Sequence, residues 1–377
     1  MQKTVFHILC FFFGSILLFS CADPEKEDTT TTASGIDRKE VLTHLVDNLV
    51  LPGLGQYERQ VDTLSGAVDD FIAAPDLNGL SALREAWKNA YISWQKVELF
   101  DFGPGENLAI RFYTNIYPCN ESEINANIQN PSANLELPAN YDAQGYPALD
   151  YLINGLASTD EDILARYTSH IDAEKTKAYL KKLISTHQTL LNQVINAWNS
   201  NREAFINNSG TSIGSSFSGV INGYIKNYEA FIRGGKIGIP SGAMMNWTPA
   251  IQTVEGLYIK NLSKTLAITA HQASIDFYEG KSVLNGSYGP SLKSYLNSLG
   301  TVDPTSQQKL GDIISEQFRV TTDKFVLLND NFHAQLQADV QPFKDVYQEM
   351  QLSVKYLKAD MTSAMSISIT YADNDGD

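Results

Sequence analysis

The residues that could do chemistry in this chain are acidic side chains placed on otherwise apolar helix faces. Within residues 76–105, DLNGLSALREAWKNAYISWQKVELFDFGPG, large apolar residues recur every three or four positions and mark one helix face: Leu80, Leu83, Trp87, Tyr91 and Trp94. One further step of four along this face reaches Glu98. A carboxylate on an apolar face is costly unless an ion pair or a bound cation compensates it, so Glu98 is either a structural acid or part of a site.

A second acidic candidate lies in residues 142–155, DAQGYPALDYLING. Gly145 permits a close backbone approach, and Pro147 suits the first turn of a helix. Asp150 then lies near the helix N-terminus, where the helix dipole favours a negative charge, and Gly155 can end the helix. The segment therefore predicts a short helix that carries one inward-facing carboxylate.

A third acid, Glu255, lies at the margin of the apolar face of a long helix predicted over residues 249–278. Together, Glu98, Asp150 and Glu255 predict an acidic, oxygen-lined pocket, with Arg111 as a counter-charge. Oxygen ligands suit hard cations, so Asp150 and Glu98 would be the ligands of any divalent cation, such as iron or calcium. The same residues suit an interior held together by ion pairs alone, and both interpretations stay open.

The elements that position these acids are helices, because three- and four-residue spacing dominates and period-two alternation is scarce. His187 lies on the apolar face of a predicted helix without an acid beside it and is interpreted as a core histidine. The segment FSGVINGYIKNYEAFIRGG predicts a helix that ends at two glycines, followed by a loop in KIGIPSGAMMNW. Residues 107–141 are rich in Asn, Pro and Ser and predict a long irregular excursion.

The order of these elements predicts an all-α protein of two helical-bundle domains. The N-terminal helical domain spans residues 37–168 and includes the excursion at 107–141, and the C-terminal bundle spans residues 169–370. The helix of Pro147 would lie between the two halves. One elongated bundle with insertions is the alternative. Residues 371–377, which end in DNDGD, predict a frayed acidic tail.

The first 36 residues predict an exported lipoprotein. Residues 1–20 have the apolar run of a signal peptide, and Leu-Phe-Ser before Cys21 is similar to the lipidation site of bacterial lipoproteins. Residues 21–36 are polar and rich in threonine, which is typical of a disordered tether. We therefore expect the mature chain to be anchored by its lipid to the outer membrane, on the periplasmic or the cell-surface side.

Composition excludes several other classes of function. The chain has 377 residues and a formal net charge of −15, so nucleic acid and anionic lipid surfaces would repel it. We therefore expect no nucleic-acid partner and no membrane contact beyond the lipid anchor. Of three cysteines, only Cys119 lies outside the predicted leader and lipidation site, so stability must come from a packed core.

Four segments together resemble the imelysin family of bacterial envelope proteins, over about residues 41–360. They are AWKNAYISWQKVELFDFGPG, GYPALDYLING, YEAFIRGGKIGIPSG with TVEGLYIKNLSKTLAITAHQASIDFYEG, and the ending SAMSISITYADNDGD. The resemblance implies an all-helical fold of two bundles with the signature block at their interface. It also implies a link to iron uptake, since family members include a periplasmic component of a ferrous-iron system; others carry a peptidase label or resemble an alginate-binding protein.

The signature block departs from the family pattern at its two chemical positions. The family has Gly-x-His-x-x-Glu, a spacing that suits a metal pair, whereas this sequence has Gly145, Pro147 and Asp150. Proline offers no ligand atom, and aspartate is one methylene shorter than glutamate. The block therefore favours ligand binding without catalysis, although the family's peptidase label leaves the question of enzymatic activity open.

Three functions remain. The favoured one is a non-catalytic envelope lipoprotein in iron or iron-complex acquisition, whose partners would be an iron complex or envelope proteins of an uptake system. A metallopeptidase of the family is the second. The third is a glycan- or protein-binding surface module, which aromatic residues of the excursion would form: Phe112, Tyr113 and Tyr117.

Overall fold

The computed structural model describes residues 36–372, and this part of the chain is all-α, as predicted. It contains two isolated β-bridges and no strand within the described residues. The predicted leader at 1–20, Cys21 and nearly all of the tether, as well as residues 373–377 of the tail, lie outside the described residues. No helix between residues 36 and 372 combines the length and the apolar character needed to cross a bilayer.

A first group of helices occupies the N-terminal half: α1 (Arg38–Leu45), α2 (Leu51–Ala73), α3 (Leu77–Trp94), α4 (Ile110–Thr114), α5 (Glu121–Gln129), α6 (Gly145–Asp150), α7 (Asp160–Thr168) and α8 (Ala173–Asn207). Side-chain caps start several of them; the carboxylate of Asp76, for example, accepts the N–H of Gly79 at 2.6 Å. Helix α2 packs against both α3 and α8. The apolar face predicted for α3 is buried throughout, from Leu80 to Trp94.

A second group follows: α9 (Ser216–Lys226), α10 (Ile239–Ser241), α11 (Ser263–Glu279), α12 (Leu292–Ser298), α13 (Leu310–Val326), α14 (Phe332–Ala338), α15 (Gln341–Lys355) and α16 (Thr362–Met365). Helix α13 packs against α11, α12 and α15. One continuous hydrophobic core runs through both groups. The predicted domain boundary near residue 168 stays a prediction, although α8, which it assigned to the second bundle, packs against α2 of the first group.

Several helices continue through wider π-helical turns. Such turns join α1 to α2 at Val46–Val50, extend α6 at Tyr151–Gly155, extend α15 at Tyr356–Met361, and join α9 to α10 at Asn227–Gly238. A π-helical turn shifts the residues after it around the helix axis and is frequent at functional sites.

The longest of these turns overturns one prediction. The helix that begins at Ser216 does not end at the glycines Gly234 and Gly235, and the predicted loop KIGIPSGAMMNW is helical in its first half, up to Ser241. One of the glycines in this segment, Gly238, is needed for packing, because a Cβ there would lie 2.8 Å from the ring of Tyr347. The glycine serves close helix packing at this position and does not end the helix.

The long helix predicted over residues 249–278 is also wrong. Only Ile251–Thr253, a single 3₁₀ turn, and α11 from Ser263 are helical, and the backbone between them is irregular. Gly256 and Lys260 have φ values of 71° and 69°, which a right-handed helix does not accept. The excursion at 107–141 is more regular than predicted, because it contains α4, α5 and the start of a 3₁₀ turn at Pro138–Ala143.

Candidate functional site: a buried charge network

The centre of the candidate site is Lys236, a lysine buried on the π-helical turn between α9 and α10. Its side chain is only 1% exposed. The Nζ atom lies 2.8 Å from Oε2 of Glu255 and 3.3 Å from Oε1 of Glu98. It also donates to Oε1 of Gln95 at 2.6 Å. Two of the three predicted acids therefore converge on one ammonium group.

Glu255 is held by polar side chains from three other elements. Its Oε1 atom accepts from Nδ2 of Asn115 at 2.8 Å and from Nε2 of Gln95 at 3.0 Å, and the hydroxyl of Tyr91 donates at 3.0 Å. Burial alone would raise the pKa of Glu255, but the charge of Lys236 and these hydrogen bonds outweigh burial and place the pKa below its usual value. Glu255 is therefore an ionised carboxylate at neutral pH.

Glu98 contacts a second cation, Arg111. Helix α3 ends at Trp94, so Glu98 belongs to the turn that follows, yet its side chain is fully buried as the apolar spacing predicted. Its Oε2 atom lies 3.3 Å from Nη1 of Arg111, whose guanidinium group stacks 3.3 Å from the ring centroid of Phe231. Arg111 thus takes the counter-charge position next to Glu98.

The four charged groups balance one another. Glu98 and Glu255 supply two negative charges, and Lys236 and Arg111 supply two positive charges, all with side chains no more than 6% exposed. A small cavity of about 20 Å³ adjoins Glu98, Arg111 and Trp94. This volume suits one water molecule. Nε1 of Trp94 makes no hydrogen bond within residues 36–372, and Oε1 of Glu98 has only its 3.3 Å ion pair with Lys236, which is not aligned as a hydrogen bond.

Asp150 lies apart from this network and has a different set of partners. Its carboxylate accepts the backbone N–H groups of Tyr258 at 3.0 Å and Ile259 at 3.1 Å, and Nδ2 of Asn154 donates at 2.9 Å. Burial raises the pKa of Asp150 to about 7, and the three donors oppose that rise. The side chain therefore binds α6 to the irregular segment before α11.

The signature block reaches the charge network through an aromatic contact. Tyr146 stacks on Tyr91 with ring centroids 4.6 Å apart and an interplanar angle of 9°. Gly145 has a φ of 72°, and a Cβ at this position would lie 2.1 Å from the carbonyl oxygen of Thr114. Pro147 is buried within α6. The block thus packs against Tyr91 of α3, whose hydroxyl donates a hydrogen bond to Glu255.

The residues present do not fit a metal centre of the His-Glu kind. Both oxygens of Asp150 already accept hydrogen bonds, Pro147 has no ligand atom, and Glu98 and Glu255 are each paired with a cation. Within residues 36–372 no three His, Cys, Asp or Glu side chains are grouped so that they could hold a metal ion.

The histidine nearest the signature block is a core residue, in accord with its interpretation from the sequence. His187 is buried, and its Nε2 atom lies 2.6 Å from the hydroxyl of Tyr57, which in turn lies 2.9 Å from the hydroxyl of Tyr146. Burial lowers the pKa of His187 to about 4, so the ring is neutral at physiological pH.

Sequence reasoning missed Lys236, Gln95 and Asn115. A signal for Lys236 was present, because Tyr228, Ile232 and Lys236 continue the buried face of α9 in steps of four. The two glycines before Lys236 concealed it, since they indicated a helix end. Asn115 lies in the excursion, where no periodicity points to burial.

The same π-helical turn carries a second buried ion-pair cluster. Oε1 of Glu229 lies 3.6 Å from Nη2 of Arg233 and 3.1 Å from Nζ of Lys358, and the hydroxyl of Tyr371 donates to Oε2 at 2.7 Å. This cluster ties the C-terminal segment to the turn that presents Lys236.

Known proteins of this architecture resemble the chain over most of its length. An imelysin-like protein from Psychrobacter arcticum aligns with a TM-score of 0.67 and 18% identity, over 89% of this chain and 97% of its own. A protein from Parabacteroides distasonis, described as an iron-regulated protein A precursor, aligns with a TM-score of 0.65 and 16% identity, over 85% of this chain and 95% of its own. At these identities the likeness establishes the fold alone. No curated protein matches the chain.

The sequence itself carries a family assignment. The family model described as Imelysin matches residues 50–316, which include α2 to α12, the signature block and all four members of the charge network. This match covers well over half of the chain. The chain belongs to the imelysin family.

Proposed function

We propose that this protein works in the bacterial cell envelope by binding a ligand and not by cleaving peptide bonds, in the acquisition of iron or of an iron complex. The observation that carries the proposal is the charge network of Glu98, Lys236, Glu255 and Arg111. Each carboxylate of the network is paired with a buried cation, so the charges neutralise one another and neither carboxylate is free to activate water.

The departure at the signature block supports the same proposal. Peptide hydrolysis requires an activated nucleophile or a water polarised by a metal. Pro147 supplies neither, and the carboxylate of Asp150 is engaged by two backbone N–H groups and Asn154. The iron assignment is supported by the family and by the iron-regulated protein from Parabacteroides distasonis, which shares the fold.

Metal analysis and a proteolysis assay test the non-catalytic part. The purified chain and its Asp150→Ala and Glu98→Gln variants are analysed for iron, zinc and calcium after exposure to each ion, and are incubated with unfolded protein substrates with and without a chelator. We expect equal metal content in all three and no chelator-sensitive cleavage. Cleavage that stops with a chelator and with Asp150→Ala would establish the metallopeptidase instead.

Iron uptake by cells tests the physiological part. Cells that lack the protein should accumulate less radioactive iron under iron limitation, and the wild-type gene should restore accumulation. The variant Lys39→Gln, at an exposed position of α1, serves as the control and should restore it fully. Normal iron accumulation in cells that lack the protein would contradict the iron role.

We also propose that the chain is exported and anchored by a lipid on Cys21 to the outer membrane. The support is the apolar leader with Leu-Phe-Ser before that cysteine. Labelling of cells with an alkyne fatty acid should mark the wild-type protein and not Cys21→Ser. Equal labelling of both would remove the anchor from the proposal.

A glycan-binding role is the second candidate, because the excursion presents clustered aromatic rings. Phe112 is 47% exposed and stacks on Tyr141 with centroids 5.6 Å apart, and Tyr113 packs edge-on against Tyr141 at 4.9 Å. Tyr113 and Tyr141 are half-buried, so Phe112 is the ring of this cluster that could stack on a sugar. A glycan array probed with the wild type and with Phe112→Ala tests this candidate, and an array without signal disposes of it.

A further inference from the structure

A groove between the two helical groups lies next to the turn that carries Glu98 but outside the charge network. Its walls are α2 with the π-helical turn before it and α11, and the turn at residues 95–100 forms its floor. Its volume is about 510 Å³, within the range of small-molecule sites. None of the residues of the signature block lines it.

The floor and inner walls of the groove are apolar. Leu99, Phe100 and Phe277 lie at the bottom, and Ile268 and Ala273 of α11 are partly exposed along one wall. The end is closed by residues 281–283, which are held by the bond from the N–H of Val283 to the carbonyl of Asn48 at 2.9 Å. These surfaces would cover the apolar body of a ligand.

The polar groups of the groove leave one positive charge uncompensated. Asp276 is already engaged, because Nε2 of Gln272 donates to it at 2.9 Å and Nζ of Lys281 lies 3.6 Å away. The ammonium group of Lys96 is exposed and makes no hydrogen bond or ion pair with any residue in the range 36–372. A ligand with a negative head group would therefore match the charge of the groove.

The turn at residues 95–100 gives the groove and the charge network a common support. Gln95 and Glu98 extend to Lys236, whereas Lys96, Leu99 and Phe100 line the groove. A molecule seated in the groove would thus contact the backbone neighbours of two residues that hold Lys236.

We propose that this groove binds a small amphipathic anion, such as a medium-chain or aromatic carboxylate. Its apolar body lies on Leu99, Phe100 and Phe277, and its acidic head is bound by Lys96. This site is separate from the charge network and does not depend on the proposed iron role.

Fluorescence titration of the full chain with 1-anilinonaphthalene-8-sulfonate, an apolar dye with a sulfonate, tests the groove. Decanoate should displace the dye, whereas decyltrimethylammonium, of similar apolar size and opposite charge, should not. Lys96→Gln should weaken dye and decanoate binding about tenfold, the order expected for one charge-assisted contact. Ala273→Trp, which fills the groove, should abolish saturable binding.

Two control variants keep the test specific. Lys39→Gln removes an exposed lysine of α1, and Ala82→Trp adds an indole at an exposed position of α3. Both should bind like the wild type, and circular dichroism should show the same helix content in all four variants. The proposal would be overturned if the wild type showed no saturable binding. It would also be overturned if Lys96→Gln and Ala273→Trp bound the dye and decanoate as tightly as the wild type does.

Discussion

At the scale of single residues, Lys236 is the group on which the candidate site depends. It lies between two buried carboxylates and is itself 1% exposed. Removing one member of a buried ion-pair network costs more than the network contributes, because the remaining charges lose their compensation without regaining water. Single and double substitutions in this network therefore distinguish the contribution of ion pairing to stability from that of side-chain packing.

We predict that Lys236→Met lowers the free energy of unfolding by about 3–5 kcal/mol. The reason is that it leaves Glu98 paired with Arg111 alone and Glu255 without an ion-pair partner among residues 36–372. Urea unfolding at pH 7 measures the loss. The double variant Lys236→Met with Glu255→Gln should recover part of it, since it removes one uncompensated charge. Lys39→Met, at an exposed position, should change stability by less than about 0.5 kcal/mol. Equal losses in the single and double variants would assign the effect to packing.

Asp150 predicts a pH dependence with a defined sign. Its pKa is about 7 in the folded chain against a usual value of 3.8, so the folded state holds a proton that the unfolded state lacks between these values. The contribution of this group to stability is therefore present at low pH and is lost as pH rises through 7. The variant Asp150→Asn has no titratable group at this position and would not show this loss.

The expected result is a pH-dependent difference between the wild type and Asp150→Asn. The free energy of unfolding of the variant minus that of the wild type should rise by about 2–3 kcal/mol from pH 5 to pH 8, which follows from the pKa difference over that window. Urea unfolding of both proteins at four pH values measures it. A difference that stays constant with pH would show that Asp150 is already ionised at pH 5.

At the scale of elements, the signature block is a helix start that requires one unusual backbone conformation. Gly145 has a φ of 72° and approaches Thr114, so that α6 can begin beside α4. Tyr146, the next residue, then stacks on Tyr91, whose hydroxyl donates to Glu255 of the charge network. The function of this glycine is therefore conformational, and a side chain would be strained there.

Gly145→Ala should lower the free energy of unfolding by about 2 kcal/mol or more, because a Cβ would overlap the carbonyl of Thr114 and because the backbone is left-handed. Gly66→Ala on α2 is the matched control, since a Cβ there meets nothing within 4 Å and helical alanine is favoured. That control should be as stable as the wild type or more stable. Thermal unfolding of both variants measures the difference. Equal shifts of the unfolding midpoint in the two variants would contradict the conformational role of Gly145.

Elements also show where sequence reasoning succeeds. The burial of Glu98 followed from its step of four after Trp94, and the helical fold followed from periodicity alone. Lys236 was missed because a π-helical turn passes through Gly234 and Gly235, and glycine pairs ordinarily indicate a helix end. The long helix predicted at 249–278 is wrong because the backbone N–H groups of Tyr258 and Ile259 donate to the distant carboxylate of Asp150 and not to helical carbonyl groups. Hydrogen-bond partners more than a hundred residues away cannot be predicted from the local sequence pattern.

At the scale of the whole molecule, the two helical groups share one hydrophobic core and contain one buried histidine each. His187 lies in the first group and His271 in the second. The hydroxyl of Tyr228 and that of Thr322 lie 3.2 Å and 3.0 Å from the His271 ring nitrogens. Burial lowers the pKa of each histidine to about 4, although the carbonyl of Phe318 opposes the fall for His271.

These two buried histidines predict how acid changes the stability of the whole molecule. A folded-state pKa of about 4 against 6.5 means that the unfolded chain binds protons more strongly between these values, so stability is lost as pH falls from 6.5 towards 4. Each histidine accounts for about 3 kcal/mol over the full window, and together they oppose and exceed the gain from Asp150.

Calorimetry of the wild type, His187→Gln and His271→Gln between pH 7 and pH 4.5 measures this effect. Because the core is continuous, we expect a single transition whose midpoint falls with acid in the wild type. In each variant the midpoint should change little with acid, because the loss from the one remaining histidine and the gain from Asp150 nearly cancel. Two transitions that separate at low pH, each sensitive to one histidine, would show instead that the helical groups unfold independently. In that case the charge network at their junction would be a contact between domains and not part of one core.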